Sequence, residues 1–217
     1  MRSVEEAITR ALCLAAVVTR AHAEYLIGSG EPGPVFLELM GVEVKDAPSR
    51  IDRWISQEGL KVDLSPQEQL WMSLPVGKWS EQRILNASWR RECLTVLLWG
   101  LRIVEPMPSA DVQLDIVDLL QAAWLLKETS ALRNIAKLRF DEEISTARDD
   151  AEFWLWRIRA TQMQNSAEGS TDPRISKEKL DEIVTHAAET GERKGLFKRM
   201  GRDFPALGKP FRELCED

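Results

Sequence analysis

The sequence predicts an all-α fold, a single compact multi-helix domain around a buried central helix. Three observations predict it. Apolar residues return at steps of three and four along most of the chain, which is the helical period. Residues that start and stop helices flank those stretches. The stretch Trp89–Leu101, WRRECLTVLLWGL, is apolar on more than half its circumference, so neighbours must cover it on several sides. Roughly eight to ten helices with short connections give an all-α architecture.

The first helix is expected from Ser3 to Ile27. Ser3 and Glu6 form a capping-box pattern, in which hydroxyl and carboxylate satisfy free backbone N–H groups. Ala11–Val18 followed by Ala21-His22-Ala23 imitates a secretory leader. However, Glu5 and Glu6 cancel Arg2 and Arg10, and the apolar core is short, so the sequence favours an ordinary helix. No apolar run is expected to reach membrane-spanning length. Gly28–Pro34, GSGEPGP, is a loop; no Lys-Ser/Thr follows its glycines, so it is a turn rather than a phosphate cradle. Val35–Val44 fits either a short helix or a strand.

Pro48–Glu58 presents Ile51, Trp54 and Ile55 on one face and stops at Gly59. Ser65 with Pro66 starts a short helix that ends before Pro75. The central helix is placed at Ser80–Val104. Its buried set is Leu85, Trp89, Cys93, Val96, Leu97, Gly100, Leu101 and Val104; its solvated strip is Arg90, Arg91, Thr95 and Arg102; Pro106 and Pro108 end it. Ser109–Glu128 follows, with Val112, Ile116, Leu119, Leu120, Ala123 and Leu126 inward. Ser130–Arg148 then places Leu132, Ile135, Leu138 and Ile144 inside, and Asp149–Gln164 carries Phe153, Trp154, Trp156, Arg157 and Ile158. The main helical domain is set at residues 1–164 and a polar linker at 165–173. C-terminal helices at 174–217 pack on the same domain, with Leu180, Ile183, Val184 and Ala187 inward and a basic end.

The 217 residues carry a net charge of −6, unevenly placed. The segment Arg193–Arg212, with Arg193, Lys194, Lys198, Arg199 and Arg202 as its basic surface, carries +6 and the rest of the chain −12. An acidic body argues against nucleic-acid binding, and the basic end fits a solvated helix or a contact with an acidic partner. Eight tryptophans against one tyrosine indicate a Trp-rich core or an aromatic interface. Cys13, Cys93 and Cys215 form no CxxC pair, as expected of reduced thiols in a cytoplasmic protein.

Two histidines, His22 and His186, lie far apart in sequence. With no HExxH, no paired Cys/His spacing and no GxSxG, the sequence supports neither a metal nor a nucleophilic site, and no cofactor is expected. The constellation that stands out is Glu92 on an apolar face, where an unpaired charge is too costly to keep. Trp154 and Arg157 repeat the spacing of Trp89 and Glu92. The candidate set is therefore Trp89, Glu92, Trp99, Arg133, Trp154 and Arg157, either a structural ion pair between tryptophans or a small Trp-lined pocket.

Several of these residues resemble a family. They are Arg53-Trp54-Ile55, Glu58-Gly59-Leu60, Leu64-Ser65 with Glu68, Trp89-Arg90 with Glu92, and Leu97-Leu98-Trp99-Gly100-Leu101 before Pro106 and Pro108. Leu132-Arg133, Trp154-Trp156-Arg157 and Asp203-Phe204-Pro205 with Gly208-Lys209 extend the likeness. The pattern resembles the bacterial family catalogued as domain of unknown function 4272, over about Glu5 to Leu214. The resemblance implies a bacterial, mostly helical, cytosolic protein and supplies no activity. Many members carry a C-terminal Glu-Arg-His-x-Ala-Leu-Asn-Trp block that does not appear here, either because this member lacks it or because the chain is shortened.

The functional expectation is a non-enzymatic binding protein acting through protein–protein contact, a toxin-neutralising immunity-type protein being one form. The alternative is a small-ligand binder or enzyme using the Glu92/Arg157 pocket.

Overall fold

The computed structural model describes residues 3–30, 41, 43–107, 114–152 and 155, and single positions between 176 and 193. Every regular element among the described residues is helical. Contacts divide the chain into two units, Met1–Arg139 and Phe140–Asp217.

In the first unit the helices are α1 (Val4–Ser29), α2 (Ala47–Gln57), a 3-10 turn (Leu60–Val62), α3 (Pro66–Met72), α4 (Glu81–Ser88), α5 (Arg90–Gly100), α6 (Ile116–Ala122) and α7 (Ser130–Ile135). The core is organised around α1, which packs against α2, α3, α4, α5 and the 3-10 turn. The expected capping box starts it: Ser3 Oγ accepts from the Glu6 N–H at 3.1 Å and Glu6 Oε2 accepts from the Ser3 N–H at 2.7 Å. Gly30, at φ 68°, closes it, its N–H donating to the Leu26 carbonyl. Between those ends every side chain from Ala11 to Ala21 is buried. Alanines at 11, 15, 16 and 21 keep the surface low, so neighbours approach on all sides.

Two expectations are corrected here. The central helix is α1, not Ser80–Val104. Moreover, α1 is long and apolar enough to cross a membrane by length and composition, with mean hydropathy 1.2 over its best window. Yet 78% of that window is buried within the protein. An uninterrupted apolar circumference describes a core helix as well as a spanning one.

The stretch expected as one helix at Ser80–Val104 is two. α4 ends at Ser88 and α5 begins at Arg90, with Trp89 in the turn between them. The helix stops at Gly100, ahead of the prolines, and Arg102 takes a positive φ of 57°. The buried face is Leu94, Thr95, Leu98, Trp99 and Leu101, while Leu85, Trp89, Cys93 and Val96, expected inside, are exposed. Thr95, expected in solvent, is buried because its hydroxyl donates to the Arg91 carbonyl at 3.0 Å and so leaves no free donor inside.

α2 and α3 follow expectation. Gly59 stops the first at φ 70°, and Ser65 caps the second, with Pro66 at its first position. The helix expected at Ser109–Glu128 is described only as α6. Beyond it Trp124 and Leu126 take positive φ of 53° and 56°, a turn that buries Leu125 and brings the Lys127 carbonyl to the Trp54 indole N–H at 2.9 Å. α7 buries Leu132, but Ile135 is exposed. The chain then runs extended, with Lys137 and Arg139 N–H groups bonding the Leu101 and Gly100 carbonyls.

In the second unit residues 141–152 are helical, with the Phe140 N–H held by Glu143 Oε2 at 3.0 Å. Ile144, expected inside, is exposed, as are Phe140 and Leu155. The described positions from 178 to 193 are helical and nearly all exposed. The linker at 165–173 and the inward set Leu180, Ile183, Val184 and Ala187 lie outside the described residues.

Candidate functional site

The described members of the predicted constellation are Trp89, Glu92, Trp99 and Arg133. Trp89 is 59% exposed, and the Glu92 side chain is 43% exposed, with its neighbour Arg91 at 3.6 Å. The premise of a buried Glu92 is therefore corrected: its side chain is exposed along with Trp89, Cys93 and Val96, while Leu94, Leu98 and Trp99 are buried. Trp99 is buried, under the Arg139 guanidinium at 4.4 Å from its ring centre. Arg133 pairs with Glu5 and donates to Thr129 Oγ1 at 3.2 Å. Arg193 is exposed and donates to Thr190 Oγ1. Trp154, Arg157, Lys194, Lys198, Arg199 and Arg202 lie outside the described residues.

Where the sequence reading placed one buried carboxylate, the structure holds two others, both against α1. Glu68, at the start of α3, is wholly buried. Its oxygens accept from both terminal nitrogens of Arg10 at 2.7 and 2.8 Å, and Arg90 approaches at 3.1 Å. Its Oε2 also accepts from the Ser65 N–H at 2.9 Å, so one side chain caps α3 and ties it to α1 and α5. Burial by itself would raise the Glu68 carboxyl. The hydrogen bonds from Arg10 and Ser65 outweigh it and hold the group below its ordinary value. Glu68 in turn holds Arg10 above its ordinary value.

The second carboxylate is Glu24. Arg20 lies one turn before it, and both are buried. Arg20 Nε donates to Glu24 Oε1 at 2.9 Å and a terminal nitrogen donates to the Leu74 carbonyl at 3.0 Å. Glu24 also accepts the backbone N–H groups of Gly77 and Trp79 at 3.1 and 3.3 Å, which pins the loop between α3 and α4 to α1. Two tryptophans bridge the clusters. Arg90 lies over Trp71, Arg20 lies over Trp79, and the two rings stand 6.0 Å apart, with the Trp79 indole N–H on the Trp71 carbonyl.

Chemically this is a network whose carboxylates are saturated, while the Arg90 Nε stays buried without a hydrogen-bond partner. Each carboxylate accepts from at least three donors, so its oxygens are committed to structural bonds. Cys13 sits beside it, its thiol pushed up to about 12 by burial, with Arg10 pulling the other way. Such a thiol is a poor nucleophile. His22 is half-buried, and burial and then the Arg91 charge lower its imidazole, with Asp115 opposing. Among the described residues no group of three or more His, Cys, Asp or Glu side chains could hold a metal ion.

Arg20 and Glu24 were legible by the reasoning spent on Glu92: charges in an apolar helix need partners, and these two lie at i and i+4. Ser65 and Glu68 repeat the Ser3/Glu6 capping pattern, which is the signal that could have placed Glu68.

The family comparison bears out the resemblance. The profile of a family described as a domain of unknown function (DUF4272) matches residues 1–180, so the chain belongs to that family. Comparison with the curated proteins and with the solved structures gave no match.

Proposed function

We propose that this DUF4272 member is a non-enzymatic binding protein that acts through protein–protein contact with a partner of basic surface. The observation that carries this reading is the helical stretch 141–152, which holds six carboxylates against one arginine. Arg148 pairs with Asp149 at 3.2 Å and Glu152 at 3.9 Å, so by composition the stretch keeps an excess of acid. Asp141 and Glu142 complement the helix dipole at the N-terminal turn; Asp149, Asp150 and Glu152, far from that turn, gain nothing from it. Phe140, 74% exposed, and Ile144 give the same stretch an apolar element to bury on association. The structural commitment of Glu24 and Glu68 around α1 supports the non-enzymatic half of the reading. A toxin-neutralising immunity-type protein is the concrete form it takes.

The test is capture of partners by the tagged full chain at low and moderate salt, alongside a variant with Asp149→Asn, Asp150→Asn and Glu152→Gln. A stoichiometric basic protein that is retained at low salt, released at moderate salt and reduced with the variant is expected. Equal capture by variant and wild type, or no basic protein at either salt, removes the reading.

A further inference from the structure

The acidic helix of the second unit also has a side. Phe140 opens it, its carbonyl accepting from the N–H groups of Glu143 and Ile144 at 3.0 and 3.2 Å. From there Ile144, Ala147, Ala151 and Leu155 follow at steps of four, three, four and four, so the five residues lie along one stripe. Phe140, Ile144 and Leu155 are 74%, 37% and 49% exposed, Ala151 is exposed and Ala147 is partly buried. A helix of a folded chain ordinarily turns such a stripe toward its own core; this one turns it to solvent. Steps of three and four make a straight seam one or two side chains wide. That shape fits the groove of a second helix and is too narrow for the face of a sheet. Alanine at two of the five positions lets the second helix come close.

The charges beside the stripe select its occupant. By helical spacing Asp141, Arg148 and Glu152 run along one edge, with Arg148 paired to Glu152, and Glu143 and Asp150 lie along the other. Six carboxylates and one arginine give residues 141–152 a net charge of −5. A second copy of this chain would set that charge against its like, and an anionic membrane or a nucleic acid would meet the same repulsion. We infer that the Phe140–Leu155 stripe is the docking seam for an amphipathic α-helix of the partner, with apolar residues at matching steps of three and four and Lys or Arg on both sides of them. This rests on the contact with a basic partner proposed above and adds the shape that is recognised.

The experiment follows the binding of two labelled peptides to the full chain by fluorescence anisotropy at low salt. The first, about 18 residues long, has leucines at steps of three and four flanked by lysines; the second has the same composition in shuffled order. The ordered peptide is expected to bind about tenfold more tightly or better and to gain helical circular dichroism as it binds. Phe140→Ser with Ile144→Ser is expected to erase that advantage and leave the two peptides equal, with the far-ultraviolet spectrum of the free chain unchanged. Leu155→Ser, at the other end of the stripe, is expected to reduce it. Glu142→Gln, on the opposite side of the helix, is expected to weaken both peptides alike. Equal binding of ordered and shuffled peptides by the wild type overturns the inference and leaves a contact made by charge alone, which the basic-partner reading survives. Preference for the ordered peptide that is indifferent to the Phe140 and Ile144 changes also overturns it. Binding of neither peptide overturns it as well, and the capture experiment then decides separately whether a basic partner exists.

Discussion

α1 and α5 are close in apolar content, and their surroundings are opposite. From Ala11 to Ala21 α1 shows nothing to solvent, whereas α5 with Trp89 before it buries one side and exposes Trp89, Cys93 and Val96. The difference lies in what each helix offers its neighbours. α1 has small side chains all round, and its buried charged residues Arg20 and Glu24 bond each other and the loop between α3 and α4. α5 has its bulk on both sides but neighbours on one. Hydrophobicity says how much surface a helix could bury; side-chain size and paired polar groups decide from how many directions it is approached.

The contrast can be broken most forcefully at Glu24. Glu24→Ala leaves the buried Arg20 unpaired and strands two backbone N–H groups, and is expected to cost about 3–5 kcal/mol, read as a fall of roughly 10 °C in Tm. Glu68→Gln is next, at about 3 kcal/mol, because Arg10 and Arg90 keep some access to water. Its loss should also change the pH dependence. A carboxyl held low in the folded chain stabilises above its unfolded value, about 4.3, and that contribution vanishes as pH falls through the folded value. Urea melts from neutral pH down to about pH 3 should therefore show wild type and Glu68→Gln far apart near neutrality and converging in acid. A gap that stays constant would mean the carboxylate is not the group responsible.

Smaller effects sharpen the α5 side. In a Cys215→Ser background, a thiol reagent near pH 8 should label Cys93 quickly and Cys13 only after unfolding, since Cys93 is exposed and Cys13 is buried with its thiol pushed up to about 12. Rapid reaction at both would place α1 nearer the surface than described. The smallest effect is expected from Glu92→Gln, within about 0.5 kcal/mol, as for other exposed ion pairs. A drop of several degrees in Tm would reinstate Glu92 as a buried partner.

Local signals were legible in the sequence. Ser3 with Glu6, Ser65 with Pro66, and Gly59 mark helix ends by bonds made within a few residues, and α1, α2 and α3 begin or stop there. What was not legible was which apolar helix is central, because WRRECLTVLLWGL and ALCLAAVV both meet the test of a wide apolar surface. The outcome depends on partners 40 or more residues away, such as Leu60 against Cys13 and Glu68 against Arg10. The turn at Trp124 and Leu126 was equally hidden, since neither residue type favours a positive φ and the bend is held by backbone bonds across it and by the distant Trp54–Lys127 bond. Glu92 drew attention by its sequence neighbours, but Leu94, Leu98 and Trp99 are buried while Glu92 shares the exposed side with Trp89, Cys93 and Val96.

The all-round burial of α1 has a consequence for synthesis. The helix emerges from the ribosome ahead of every element that covers it, and its partners in α3, α4 and α5 follow some 40 to 90 residues later. At roughly 5–20 residues per second the most apolar segment of the first unit spends several seconds uncovered. It then has the length and hydropathy that targeting factors and chaperones read as an invitation. Arg10, Arg20 and Glu24 interrupt its apolar run during that interval, and the same charges later bind the core together.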